Sequence, residues 1–288
     1  MVNPGGEPIL YTRGLGVAFG GLKAVDGLDL DLHRGEVLGL IGPNGAGKTT
    51  VFNLLTGVYK PAQGRIYLRG ERLDGLPPYA VVARGLARTF QSIRLFSALT
   101  VLENVMLGHA WRVRENPLDA VLLRTRTRAE RARWVGEAER HLSYVGLEKA
   151  AKEMAASLPY GRQRLVEIAR ALATGAEVLL LDEPAAGNNA QEKRDLIALI
   201  GRLRGELGKT VLIIEHDMKV VMNLVDRIVV LDYGCKIAEG SPPEIRCNPK
   251  VIESYLGAQM EEEGEEGARR AAPLRSRNSD GEGRVAGC

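Results

Sequence analysis

The sequence predicts an α/β fold with a mainly parallel sheet, a small antiparallel β layer and an inserted helical subdomain. Three observations predict it. Apolar runs at residues 37–41, 178–181, 211–214 and 228–231 are rich in Val, Ile and Leu and lack polar alternation. That is the pattern of parallel strands covered on both faces. Helical patterns lie between these runs, as βα units require. LDLDL at residues 28–32 instead alternates, which marks a half-buried antiparallel strand.

The elements follow in chain order. Residues 10–32 supply the antiparallel layer. The strand VLGLI at 37–41 runs into GPNGAGKTT at 42–50, which fits GxxxxGK[ST], and then into the helical VFNLLTG. A strand before and a helix after are the context this pattern needs to bind phosphate. Gly45 and Gly47 are expected to let the backbone wrap phosphate oxygens where a Cβ would block it. Successive N–H groups and the helix N-terminus then face the negative charge. Lys48 is placed to bridge the β- and γ-phosphates, and Thr49 to offer a hydroxyl to Mg²⁺. Gly57 is expected to end the helix.

Residues 99–173 carry almost no strand signal and are rich in Arg, Ala, Glu and Leu, so they read as helices inserted into the α/β core. Their Arg cluster at 124–133 sits among Glu130, Glu137 and Glu139, the composition of a solvated helix face. VLLLDEP at 178–184 is a buried strand whose end presents Asp182 and Glu183. Asp182 is placed to hold Mg²⁺ and Glu183 to act as general base on the attacking water. His216 follows the apolar run at 211–214; a lone histidine at a strand end is more often structural, but at the C-terminal edge of a parallel sheet it can instead reach a γ-phosphate, and its order after the other motifs favours that role. Gln91 lies in RTFQ, which on its own reads as surface. After residue 257 the chain turns to EEEGEEGARR and a Ser/Gly/Arg-rich end, expected to be a disordered tail over 258–288.

Composition limits the function classes. With 39 basic and 36 acidic residues the formal net charge is +3, too balanced for a nucleic-acid surface. Three cysteines, Cys235, Cys247 and Cys288, have no CxxC spacing, which speaks against a disulfide framework or a zinc site. No apolar stretch approaches the roughly 20 residues that span a bilayer. The N-terminal residues lack a secretion pattern, so a cytoplasmic protein with a peripheral membrane role is expected.

The glycine loop, Gln91, LPYGRQ at 158–163, LLLDEP, AAGNN at 185–189 and His216 occur in one order. In that order they resemble an ABC transporter ATP-binding subunit, over about residues 8–257. LPYGRQRLVEIARALA resembles the signature and helix that separate this family from kinases and GTPases. The resemblance implies a P-loop ABC ATPase core that binds ATP and Mg²⁺ and hydrolyses ATP. Gly42, Pro43, Asn44, Gly45, Ala46, Gly47, Lys48, Thr49 and Thr50 would bind nucleotide. Phe19 would stack on adenine, with Tyr11 the lesser candidate. Thr49, Gln91 and Asp182 would hold the metal. Lys48, Gln91, Glu183 and His216 would carry catalysis. Two subunits would close as a sandwich, Leu158, Tyr160 and Gly161 of one facing the nucleotide of the other.

Further pieces, among them TVLENVMLG, DEPAAG, IEHDM, VMNLVDRI, IAEGSPPEI and NPKVIESYLG, resemble the longer ATPase of high-affinity branched-chain amino-acid importers. That implies two transmembrane permease subunits, a substrate-binding protein acting through them and no nucleic acid. Pro159 and Tyr160 stand where the general signature has Ser and Gly, Arg162 replaces a Gln, and Asn188 and Ala190 replace a Leu and a Pro. The ATPase of a urea importer or a lipopolysaccharide-export complex shares much of the C-terminal pattern and stays open, as does a remote reading as a soluble ABC ATPase on nucleic acid. A non-catalytic regulatory subunit is opposed by Lys48, Asp182, Glu183 and His216 all being present.

Overall fold

Side-chain alternation along four buried strands builds two cores from one sheet. The computed structural model describes residues 7–112 and 124–255. The expected tail beyond 257 lies outside them. Strands β3 (Val37–Ile41), β7 (Val178–Asp182), β8 (Thr210–Ile214) and β9 (Arg227–Asp232) are almost wholly buried. Val37, Leu179, Val211 and Ile228 point into one apolar cluster, and their neighbours Leu38, Leu180, Leu212 and Val229 into the other. This is the period-two geometry of a strand with both faces covered.

The larger sheet has the order β10-β9-β3-β8-β7-β6, where β6 is Leu86–Arg88 and β10 is Cys235–Gly240. Its five strands from β9 to β6 pair in parallel, and β10 pairs antiparallel at the edge. The second sheet is antiparallel, in the order β2-β1-β4-β5. It comprises β1 (Pro8–Phe19), β2 (Leu22–His33), β4 (Gln63–Leu68) and β5 (Glu71–Arg72). Leu28, Leu30 and Leu32 of the LDLDL run are fully buried. They share a cluster with Leu38 and Leu40, so this layer packs onto the parallel sheet around helix α1 (Lys48–Leu55).

A short helix α2 (Pro78–Ala83) precedes β6. Between β6 and β7 the chain is helical: α3 (Val101–Met106), α4 (Arg124–Tyr144) and α5 (Tyr160–Ala173) pack on one another. Thr100 and Glu103 start α3 with a reciprocal capping box. On α4, Ala138 and Leu142 are buried while Arg131 and Arg133 face solvent, and Arg133 pairs with Glu137 one turn on at 2.9 Å. Helices α6 (Ala190–Gly205), α7 (Met218–Leu224) and α8 (Pro242–Arg246) follow β7, β8 and β10, and residues 249–255 are helical again. The loops leaving β3, β6, β7 and β8 all emerge at the C-terminal edge of the parallel sheet, the place where open α/β sheets bind ligands.

Candidate functional site

The loop after β3 is shaped by its own packing. Gly42 has φ 152°, and a Cβ there would lie 2.1 Å from the Leu231 carbonyl oxygen. Gly47 has φ 98°, and a Cβ would lie 2.3 Å from the Ala24 carbonyl oxygen. At Gly47 neighbouring backbone by itself already excludes a side chain, and the residue lines the phosphate-facing cavity. Gly45, at φ 77° with nothing within 4 Å of a Cβ position, is the glycine that faces open space. Gly47 also caps α1, whose first turn carries no acidic residue. With no side-chain cap and no acidic residue there, the N–H groups at the start of α1 keep a positive local field. The helix ends at Leu55, with Thr56 at the cap and Gly57 left-handed at φ 71° beyond it.

A cavity of about 940 Å³ opens over this loop. Pro43, Asn44, Ala46, Lys48, Thr49 and Thr50 line it, together with Gln91, Glu183 and His216, each delivered by a different strand end. Lys48 is buried and donates to the carbonyl oxygens of Gly42 at 2.7 Å and Pro43 at 2.6 Å. Burial pushes its ammonium below the ordinary lysine range, while the Glu183 and Asp182 carboxylates work against that shift.

Glu183 is the centre of the polar contacts. Its Oε1 accepts from Gln91 Nε2 at 3.1 Å and lies 2.8 Å from His216 Nε2. Its backbone has φ 47°, left-handed for a non-glycine residue. That conformation costs about 1–3 kcal/mol. The Glu183 N–H is tied to the Ile214 carbonyl at 2.9 Å, so β8 holds the turn that aims this carboxylate.

Asp182 lies one residue back and is fully buried. Its Oδ2 accepts from Arg88 at 2.7 Å, and its Oδ1 is buried without a hydrogen-bond partner among the described residues. Burial pushes its carboxyl up, opposed chiefly by Arg88. No group of three His, Cys, Asp or Glu side chains suited to a metal occurs among the described residues. An orphaned, buried carboxylate oxygen fits Mg²⁺, which is usually held by one or two protein oxygens plus phosphates; Thr49 lines the cavity, whereas Asp182 lies behind its lining.

Comparison with known proteins matches this geometry. A family model described as "ABC transporter" covers residues 25–186, and one described as "Branched-chain amino acid ATP-binding cassette transporter" covers residues 235–261. The high-affinity branched-chain amino acid transport ATP-binding protein LivG of Escherichia coli K12 is 45% identical over 251 residues, 87% of this chain and 98% of LivG. The chain belongs to the ABC transporter ATPases. BraF of Pseudomonas aeruginosa, which bears the same description, is 46% identical over the same span. Among solved structures, the ADP conformation of an ATP-binding cassette of an ABC transporter has a TM-score of 0.75 at 32% identity, covering 88% of this chain and all of that one. A dimeric bacterial ABC transporter cassette scores 0.68 at 26% identity, covering 81% of this chain and 98% of that one.

Not every expected residue of the cassette reaches the cavity. Phe19 is absent from its lining; Leu22, which pairs with Phe19 across the hairpin, takes part instead. Phe19 is half-exposed and packs edge-on against Tyr59 at 5.2 Å. Tyr11 is engaged elsewhere, stacked on Tyr67 at 4.8 Å. Leu158 requires correction: its side chain is 4% exposed and belongs to the core, so it presents no face to a partner. Tyr160 and Gly161 open α5 away from the cavity, with Tyr160 half-exposed. The Tyr160 ring lies 3.2 Å from the place a Cβ on Gly187 would take, packing the signature against the loop after β7. Asn189, within the divergent stretch of that loop, caps α6 by accepting from Gln191 and Glu192 N–H groups at 2.9 and 3.0 Å.

Sequence reasoning missed three residues that order this site. Glu215 is buried and accepts from the backbone of Ala185 at 2.7 Å and His216 at 3.1 Å, locking the loops after β7 and β8 together. Burial pushes its carboxyl up, opposed by those N–H groups. Arg88 holds Asp182. Arg164, fully buried on α5, donates to the carbonyls of Phe90 and Gln91 and to Glu167 at 3.0 Å. It therefore fastens the helix of the signature to the strand-end loop that carries Gln91. An Arg or Glu in a polar sequence gives no sign of burial; the one available signal for Glu215 was its place directly after a fully apolar strand. Arg164→Met is expected to destabilise the protein by about 1–3 kcal/mol, because the Phe90 and Gln91 carbonyls lose their donor and buried Glu167 keeps only the Arg94 N–H at 2.9 Å and Arg170 at 3.4 Å. Urea unfolding measures this, and a loss under about 1 kcal/mol removes Arg164 as an anchor.

Proposed function

We propose that this chain is the ATP-hydrolysing subunit of a membrane importer for branched-chain amino acids, acting as half of a pair that closes around two nucleotides. The single observation that carries the chemistry is the convergence of Lys48, Gln91, Glu183 and His216 on one cavity above an anion-cradling loop. Catalysis there is positioning and charge stabilisation. The loop from Gly42 to Thr50 holds the phosphates, and Lys48 exchanges its carbonyl partners for phosphate oxygens. Thr49, Gln91 and Asp182 would hold Mg²⁺, which would supply positive charge against the phosphates. Glu183 takes the proton of the attacking water, and His216, bonded to the same carboxylate, orients it toward the γ-phosphate. Phe19, half-exposed beside Leu22, supplies the ring for adenine once the base is in place.

Tyr160 and Gly161 lie outside this cavity, as residues that serve a second subunit's nucleotide should. The dimeric cassette among the structural relatives supports the same reading. A groove of about 430 Å³ beside the Gln91 loop, lined by Tyr79, Phe90, Phe96, Leu107, Trp111 and Arg170, suits an apolar helix end of a permease. It would transmit closure to two permease subunits at the cytoplasmic face, with a binding protein delivering solute from the other side. No described helix is long and apolar enough to cross a membrane, so attachment runs through such partners. The cargo reading is supported by the names of LivG and BraF and by the match over residues 235–261.

Phe96→Glu tests the groove. Its backbone N–H and carbonyl are held by Asn104 at 2.9 and 3.1 Å, so the exposed ring can change without unfolding the loop. The variant is expected to keep the ATPase rate of the isolated chain within about twofold and to lose at least tenfold in permease affinity by co-purification; undiminished binding removes the groove from the interface. For the cargo, the reconstituted complex is expected to raise its ATPase rate with leucine, isoleucine or valine on its binding protein. Stimulation by urea alone, or by lipopolysaccharide alone, transfers the chain to one of those systems.

A further inference from the structure

Arg88 bridges helix α1 and the end of strand β7. One guanidinium nitrogen donates to Asn53 Oδ1 at 2.6 Å and the other to Asp182 Oδ2 at 2.7 Å. The Arg88 side chain is 7% exposed and that of Asp182 1%, so the ion pair between them is largely shielded from water. The rings of Phe52 and Phe90 flank the guanidinium at 5.3 and 5.5 Å and limit its rotation. Asn53 sits four residues after Thr49 on α1, hence on the same helix face one turn below it. A rigid planar fork thus spans from the helix that carries Thr49 to the strand end that carries Asp182. It also occupies one carboxylate oxygen and leaves the other, Oδ1, as the buried atom without a partner among the described residues.

We propose that Arg88 is the positioning residue of the divalent-cation site, setting the spacing between Thr49 and Asp182 and reserving Asp182 Oδ1 for the cation or its water. The assignment rests on the Mg²⁺-nucleotide reading above. Arg88 touches neither nucleotide nor metal; it works through Asn53 and Asp182. Lysine cannot replace it, because a single ammonium on a flexible stem does not hold two acceptors in one plane.

The test is calorimetric ATP binding to the full chain, first in EDTA and then across a Mg²⁺ titration, for wild type, Arg88→Lys and Asn53→Ala. Thermal unfolding of each protein without nucleotide accompanies it. Asn53 is only partly buried, so its alanine variant probes the same clamp from the other end if Arg88→Lys fails to fold. The expected result is ATP affinity in EDTA within threefold of wild type. The Mg²⁺ concentration for half-maximal tightening should rise at least tenfold in Arg88→Lys and in the same direction in Asn53→Ala. Variants that melt earlier yet keep the wild-type Mg²⁺ midpoint overturn the proposal, and Arg88 is then a structural ion pair. An equal loss of binding in EDTA and in Mg²⁺ also overturns it, because the loop rather than the cation site has been disturbed. Wild-type binding that ignores Mg²⁺ overturns the cation reading itself, and Arg88's role with it.

Discussion

Glu183→Gln is expected to slow ATP turnover by about 10²–10⁴-fold while leaving ATP binding and pairing intact. The size rests on what the substitution changes. A glutamine keeps the length and the accepting oxygen, so the contacts from Gln91 Nε2 at 3.1 Å and His216 Nε2 at 2.8 Å can persist. It loses the ability to take a proton from water. The left-handed turn at φ 47° is held by the backbone bond to Ile214 and needs no carboxylate, so the fold should tolerate the change. Removing the negative charge also lessens repulsion toward the γ-phosphate, which favours a long-lived ATP-bound pair. Steady-state phosphate release and size-exclusion chromatography in ATP measure the two halves of the prediction. Turnover within about tenfold of wild type would exclude Glu183 as the general base.

Lys48→Ala is expected to weaken ATP binding by about 3 kcal/mol or more, roughly two orders of magnitude in Kd. Lysine enters this site already stripped of water. It is 6% exposed, and burial pulls its pKa down while two carboxylates hold the charge in place. Its two bonds to Gly42 and Pro43 carbonyls keep the ammonium beside the loop, so little reorganisation is needed when phosphate replaces them. Alanine leaves the loop amides but removes the only side-chain cation of the GKT segment. Isothermal titration with ATP reads the loss, and circular dichroism confirms that β3 and α1 still form. An unchanged Kd would mean that the backbone amides and the helix dipole suffice, and would remove Lys48 from the site.

These two residues were legible before any coordinates because their context is local. A strand, a glycine loop and a helix lie within about twenty consecutive residues, and the strand ending in Asp182 and Glu183 is equally compact. Gln91 and His216 were legible only through their order along the chain. Leu158 was misread because a motif position fixes neighbours in sequence but not which way a side chain faces. At Gly47 the motif gave no sign of the second constraint, the Ala24 carbonyl that forbids a side chain there.

By itself the sequence determined the four buried strands, the antiparallel segment near residues 10–32, the phosphate-loop pattern, the acidic strand end and the family, since each depends on hydrophobic period or on spacing within a short segment; the shorter strands β4, β5, β6 and β10 carried no such signal. Tertiary structure alone brought together groups distant along the chain. Arg88 meets Asp182 across 94 residues and Arg164 meets Gln91 across 73. Burial is what gives these contacts their strength, and burial is a property of the packed layers rather than of residue type. A polar side chain in the sequence declares its chemistry; only its packed surroundings declare whether water or a single carboxylate is its partner.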